Sequence, residues 1–124
     1  MRKIWLFLRK IIMGYVYLLC DSGQDNTFKI GVTRGSIEKR IKKLQTGNGE
    51  EIFLVNYYET EHPFLIEKMM HQKHCSDKKM NEWFYLDSEG VNNFKKDCEE
   101  CEETIKALKD NPFFNKNLKW TIYF

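Results

Sequence analysis

Gly14-Tyr15-Val16-Tyr17-Leu18-Leu19-Cys20, Asp21-Ser22-Gly23-Gln24-Asp25-Asn26 and Thr27-Phe28-Lys29-Ile30-Gly31-Val32-Thr33 follow one another without a gap, and they decide the architecture. The outer two pieces are rich in aromatic and branched side chains. The middle piece holds the polar, turn-prone residues that close a hairpin. Side chains alternate between the faces of a strand, so Phe28, Ile30 and Val32 share one face and Lys29, Gly31 and Thr33 the other. A lysine and a glycine together leave that second face open and polar. Gly31 has no side chain and lets backbone or ligand come close. Taken singly, Lys29 also suits a charge guarding a sheet edge, and Tyr15 and Tyr17 suit ordinary core aromatics.

Beyond the hairpin, Ile37, Ile41 and Leu44 recur at helical spacing and predict an apolar stripe. Ser36 stands at the N-cap position, whereas Lys39 occupies the place of a capping-box glutamate, so the box is absent. Gly47 is a helix stop. Arg40 lies at the margin of the stripe, able to snorkel to water or to aim across the neighbouring sheet. Lys39, Lys42 and Lys43 add positive charge.

A second helix is predicted over Phe64-Leu65-Ile66-Glu67-Lys68-Met69-Met70-His71-Gln72-Lys73-His74. Leu65 with Met69, and Ile66 with Met70, seek a core. Glu67, His71 and His74 form a polar stripe on one face. Alone, that stripe is the solvated side of an amphipathic helix. A carboxylate beside two imidazoles is also a group that holds a hard cation or moves protons. Further on, Val91, Phe94, Cys98, Cys101, Ile105 and Leu108 predict a helix over 88–109 that carries the acidic cluster Asp97, Glu99, Glu100, Glu102 and Glu103. Asn111-Pro112 ends it. The tail, Leu118-Lys119-Trp120-Thr121-Ile122-Tyr123-Phe124, alternates like an extra strand or a terminus that docks on a partner.

A chain of 124 residues suits one small domain with a modest core. Its net charge of +2 hides an asymmetry: residues 1–80 are basic and the remainder is acidic. A basic front half is compatible with phosphate binding. No run is long and apolar enough to span a membrane, so stable membrane insertion is not expected. Met1 to Lys10 imitate the start of a signal peptide, but the apolar run is short, Arg9-Lys10 interrupts it, and no small-residue cleavage site follows. Residues 1–12 therefore read as an N-terminal extension before Met13, or as a short amphipathic helix on the domain or a membrane surface. The four cysteines lack zinc-knuckle spacing. Cys75 with His71 and His74 makes a zinc site only if two helices meet. Free thiols fit a reducing, intracellular setting.

Tyr15-Val16-Tyr17, Lys29-Ile30-Gly31, Arg40, Glu67-Lys68-Met69-Met70-His71 and Glu82-Trp83-Phe84, in that order, resemble the GIY-YIG nuclease superfamily, and within it the phage-T5-type subgroup with its Lys-Ile-Gly second motif. The resemblance covers about residues 14 to 87. It implies an α+β fold, a small three-stranded antiparallel sheet flanked by helices, here followed by a C-terminal helix and a possible extra strand. It divides the chain into an extension (1–12), a nuclease-like domain (13–87) and a C-terminal helix and tail packed on that domain (88–124). Two departures are visible: Lys29 stands where many members have the second tyrosine, and Tyr15 replaces the first glycine.

The resemblance also implies hydrolysis of DNA phosphodiesters with one Mg²⁺ or Mn²⁺. The catalytic candidates are Tyr17, Lys29, Arg40, Glu67 and His71, with Glu67 as the metal ligand. Tyr15, Thr33, Arg34, Lys39 and Lys43 are candidates for nucleic-acid contact. Expected partners are double-stranded or branched DNA, with a protein partner as a source of specificity, in the cytoplasm, the nucleoid or a host cell's DNA compartment. The chemistry suits these residue types. A single glutamate suffices for Mg²⁺ when water and phosphate supply the other ligands. An arginine donates two hydrogen bonds to the phosphate oxygens that gain charge. Tyr17 is a general base or an orienting group, and a nearby Lys29 cation or the metal favours its phenolate. Two further readings come from other classes: a catalytically weak nucleic-acid-binding module of the same fold, and a zinc-stabilised interaction protein.

Overall fold

The computed structural model describes residues 4, 13–80 and 82–110. The hairpin forms as its sequence predicts. Strand β1 (Gly14–Asp21) pairs antiparallel with β2 (Thr27–Thr33), with Tyr17 opposite Gly31 and Leu19 opposite Lys29. The loop between them is tied by Asp21, whose Oδ1 accepts from the Gly23 N–H at 2.8 Å. Asn26 turns the chain with φ of 56°, a left-handed conformation that asparagine tolerates.

Helix α1 (Ile37–Gln45) begins at Ser36, whose Oγ accepts from the Lys39 N–H at 3.3 Å. Its last residue latches the next strand, β3 (Ile52–Thr60): Gln45 donates to the Glu50 carbonyl and accepts from the Ile52 N–H, both at 2.8 Å. Helix α2 (Pro63–Lys73) follows with proline in its first turn, where a missing N–H costs nothing. A short 3₁₀ turn (Cys75–Asp77) leads to strands β4 (Lys78–Met80) and β5 (Trp83–Tyr85), then to α3 (Ser88–Asn92) and α4 (Phe94–Lys109).

The sheet has five antiparallel strands in the order β3-β1-β2-β5-β4, not three. Strands β4 and β5 add the difference. Trp83 and Phe84 pair with Lys29 and Phe28, and a three-residue strand is too short to leave a periodic signature. The single helix over 88–109 is two helices, broken at Asn93, yet its stripe behaves as predicted. Phe94, Cys98 and Ile105 are buried, and Val91 and Cys101 pack against them. The expected extension (1–12) and tail strand (118–124) lie outside the described residues, Ile4 excepted.

The sheet separates two cores. On one face Val16, Leu18, Ile30 and Phe84 meet Ile66 and Met70 of α2 and Phe94, Cys98 and Ile105 of α4. On the other, Tyr17, Leu19 and Ile52 meet Ile37, Ile41 and Leu44 of α1, none of which is fully buried. Helix α4 is pinned to β3 by Glu102, which accepts from the Tyr58 and Thr60 hydroxyls, and to α2 by an Asp97–Lys73 ion pair of 2.8 Å. No helix among the described residues is long and apolar enough to cross a membrane.

Candidate active site

The thinner face of the sheet carries Tyr17, Lys29 and Arg40, whereas Glu67 and His71 come from α2, which packs on the opposite face. Tyr17 is placed by β1 and lies across Gly31 of β2. A Cβ at position 31 would sit 2.4 Å from the tyrosine ring and hydroxyl, so the glycine makes room for the phenol. Only 1% of Tyr17 is exposed. Arg40 reaches over from α1 and donates from Nε to the Tyr17 hydroxyl at 3.4 Å. Of the two destinations open to Arg40, it takes the sheet.

Burial pushes the Tyr17 phenol above its usual value, with Glu82 and Glu67 adding to the rise and Arg40 opposing it. Arg40, rather than Lys29, is the side-chain cation that eases ionisation, and desolvation outweighs it. Because the phenolic oxygen accepts from Arg40, its own proton remains free to donate.

Lys29 is not an edge charge, since β2 lies between β1 and β5. Its ammonium sits 3.1 Å from the Glu82 carboxylate and 5.7 Å from the Trp83 ring centre. Glu67, half-buried on α2, has Glu82, Lys29 and Arg40 as its charged neighbours. Desolvation first, and Glu82 second, raise its carboxyl to about 7, against the pull of the two cations. No hydrogen bond or ion pair ties this carboxylate to another described residue. A half-buried carboxylate without a partner is costly, and a cation relieves the cost.

His71 lies one turn on. Its Nε2 is 2.7 Å from the Ile30 carbonyl oxygen, which can only accept, so Nε2 donates this hydrogen bond. The ring also meets Phe84 edge-on at 5.0 Å. His74 leaves the polar stripe. It caps α2, is buried against Phe84, and has Nδ1 3.8 Å from Asp77. Cys75 is exposed while Cys98 is in the core. Among the described residues, no three His, Cys, Asp or Glu side chains form a metal-binding group, which removes the zinc cluster of His71, His74 and Cys75.

The expected nucleic-acid contacts are dispersed around this centre. Tyr15 and Thr33 face each other across β1 and β2. Thr33 Oγ1 accepts from the Gly35 N–H at 3.1 Å and shapes the turn. Arg34 stacks 5.3 Å from the Phe64 ring. Lys39 and Lys43 are exposed one turn apart on α1. Glu82 joins the site through its ion pair with Lys29. Glu82 supplies a second carboxylate, and its signal was its place in the Glu-Trp-Phe segment. Tyr57, directly across from Tyr17 on β3, had no local signal at all.

The arrangement sets a carboxylate at Glu67, hydrogen-bond donors at Arg40 and Tyr17, and a positive charge at Lys29 around one centre. That set is suited to a bound phosphate group and a hard metal ion. No curated protein and no solved structure matches the chain. The T5orf172 domain matches residues 14–107, a span that holds every one of these side chains and most of the chain, so the chain belongs to the T5orf172 domain family.

Proposed function

We propose that the protein is an endonuclease that hydrolyses DNA phosphodiester bonds with one Mg²⁺ or Mn²⁺ ion. The observation that carries the proposal is the Glu67 carboxylate, half-buried, unpartnered among the described residues and flanked by Arg40 and Lys29. Membership of the T5orf172 family and the motif resemblance to GIY-YIG nucleases support the same reading.

Glu67 would hold the ion, with water and the substrate phosphate completing the shell. When bound, the ion supplies charge relief at phosphorus and eases deprotonation of a water. Arg40 donates to the non-bridging oxygens through its terminal amino groups, while its Nε fixes Tyr17. Tyr17 keeps its proton and donates a hydrogen bond to a phosphate oxygen or the water; its raised pKa suits orientation better than base catalysis. Lys29, steadied by Glu82, adds positive charge beside the phosphate. His71, one turn after Glu67, would relay a proton or bind a scissile-side phosphate. Tyr15, Thr33, Arg34, Lys39 and Lys43 would guide the flanking strand.

Nicking of supercoiled plasmid tests this. Wild-type protein is expected to nick with Mg²⁺ or Mn²⁺ and not in EDTA, and Glu67→Ala is expected to lose at least about a hundredfold in rate. Equal nicking by both proteins would refute the assignment of Glu67. No nicking of plasmid or of branched DNA would leave a nucleic-acid-binding module of the same fold.

A further inference from the structure

The sheet face that holds Tyr17 does not end at the candidate catalytic residues. On β3, Tyr57 stands directly opposite Tyr17, and its side chain is 47% exposed. Tyr15, two residues from Tyr17 on the same face, meets the Tyr57 ring edge-on, with centroids 5.9 Å apart and planes at 72°. This T-shaped contact braces Tyr57 through its neighbour while leaving ring surface open. An exposed, braced aromatic next to a phosphate-binding centre needs a partner with a flat apolar face.

Charge identifies which part of a nucleic acid that is. The residue two positions beyond Tyr57 on the same face is Glu59, exposed and directly opposite Tyr15. A carboxylate there disfavours a phosphate directly beside Tyr57. The same carboxylate accepts a hydrogen bond from the amino group of a base. Lys29 and Arg40 lie on the other side of Tyr17, while Arg34 follows Thr33 and stacks on Phe64. The face is thus graded, cationic over β2 and α1 and aromatic-acidic over β1 and β3.

We infer that Tyr57, braced by Tyr15, is a stacking platform for an unpaired base next to the scissile phosphate. The inference rests on the nuclease reading and narrows its substrate to DNA with an unstacked nucleotide, such as a fork, flap or frayed end. In regular duplex both faces of every base are covered by neighbours, and Tyr57 finds nothing to stack on. Stacking of one base on an aromatic side chain is worth roughly tenfold or more in affinity.

The test is fluorescence anisotropy in EDTA with the full chain, where cleavage is absent. The probes are a labelled DNA fork with single-stranded arms and the fully paired duplex of the same sequence. The fork is expected to bind more tightly than the duplex. Tyr57→Ala is expected to weaken fork binding about tenfold and to leave duplex binding unchanged. Tyr57→Trp should retain fork binding, which separates stacking from damage to β3, and thermal melting of both variants checks the fold. Unchanged fork binding by Tyr57→Ala, equal losses on fork and duplex, or no binding of the fork by wild type overturns the platform. The plasmid assay judges the parent reading independently. Nicking with Tyr57-independent fork binding sinks the platform alone, whereas Tyr57-dependent binding without any nicking upholds it and sinks the nuclease.

Discussion

Glu67 shows how one side chain links the site to the stability of the protein. Its carboxyl is raised to about 7 in the fold, from an ordinary 4.5, chiefly by desolvation and then by Glu82. In the window between those values the unfolded chain has already lost this proton while the folded chain keeps it. Stability therefore falls as pH rises from about 4.5 to about 7, and levels off above. The whole shift would correspond to about 3 kcal/mol, which partial exposure and screening reduce to about 1–2 kcal/mol. Urea unfolding in EDTA at pH 5 and pH 8 is expected to show that loss in wild type and not in Glu67→Gln. Identical pH dependence in the two proteins would contradict the burial of the carboxylate. At this scale the sequence was informative wherever a motif fixed the residue: Tyr17, Lys29, Arg40 and Glu67 converge as their order suggested. It was silent on Tyr57, whose part depends on strand pairing between distant segments. The direction of the Tyr17 shift was also hidden, because only the fold reveals that α1 buries the phenol.

Among the elements, those with strong periodicity were legible. The β1–β2 hairpin, α1 and the stripes of α2 and α4 follow directly from spacing. Strand β3 did not stand out. Ile52-Phe53-Leu54-Val55 is an unbroken apolar run with no alternation, and on a sheet edge Phe53, Leu54 and Val55 stay 40–46% exposed. The break at Asn93 and the two three-residue strands fall below what spacing can resolve. The acidic cluster on α4 looked like a solvated face, yet one member, Glu102, joins that helix to β3 through Tyr58 and Thr60. Burial and this carboxylate hold the Tyr58 phenol well above its usual range. Glu102→Ala leaves two hydroxyls without their acceptor and is expected to destabilise the fold by about 1–3 kcal/mol. Its nicking rate should be unchanged below the melting transition, since Glu102 packs on the face away from Tyr17. Denaturant unfolding beside the plasmid assay checks both halves. A loss of activity without a loss of stability would mean that α4 reaches the site.

For the molecule as a whole, the sheet is a partition between unequal halves. The side with α2 and α4 holds most of the buried side chains, including Ile66, Met70, Phe94, Cys98 and Ile105. The side with α1 rests on Tyr17, Leu19 and Ile52, and α1 contributes no fully buried residue of its own. Local opening follows buried apolar contact, so the halves should not open together. Native-state hydrogen exchange is expected to show the amides of α1 exchanging through a low-energy opening while those of β1, α2 and α4 wait for global unfolding. Uniform protection across all helices would contradict this.

The lightly seated α1 has a consequence in time. Arg40 rides on that helix, while Glu67 and Lys29 belong to the slow, well-anchored body of the protein. On the proposed nuclease reading, a cut strand would be released by a brief lift of α1 that withdraws Arg40, without disturbing the rest. Turnover would then be paced by the breathing of one nine-residue helix.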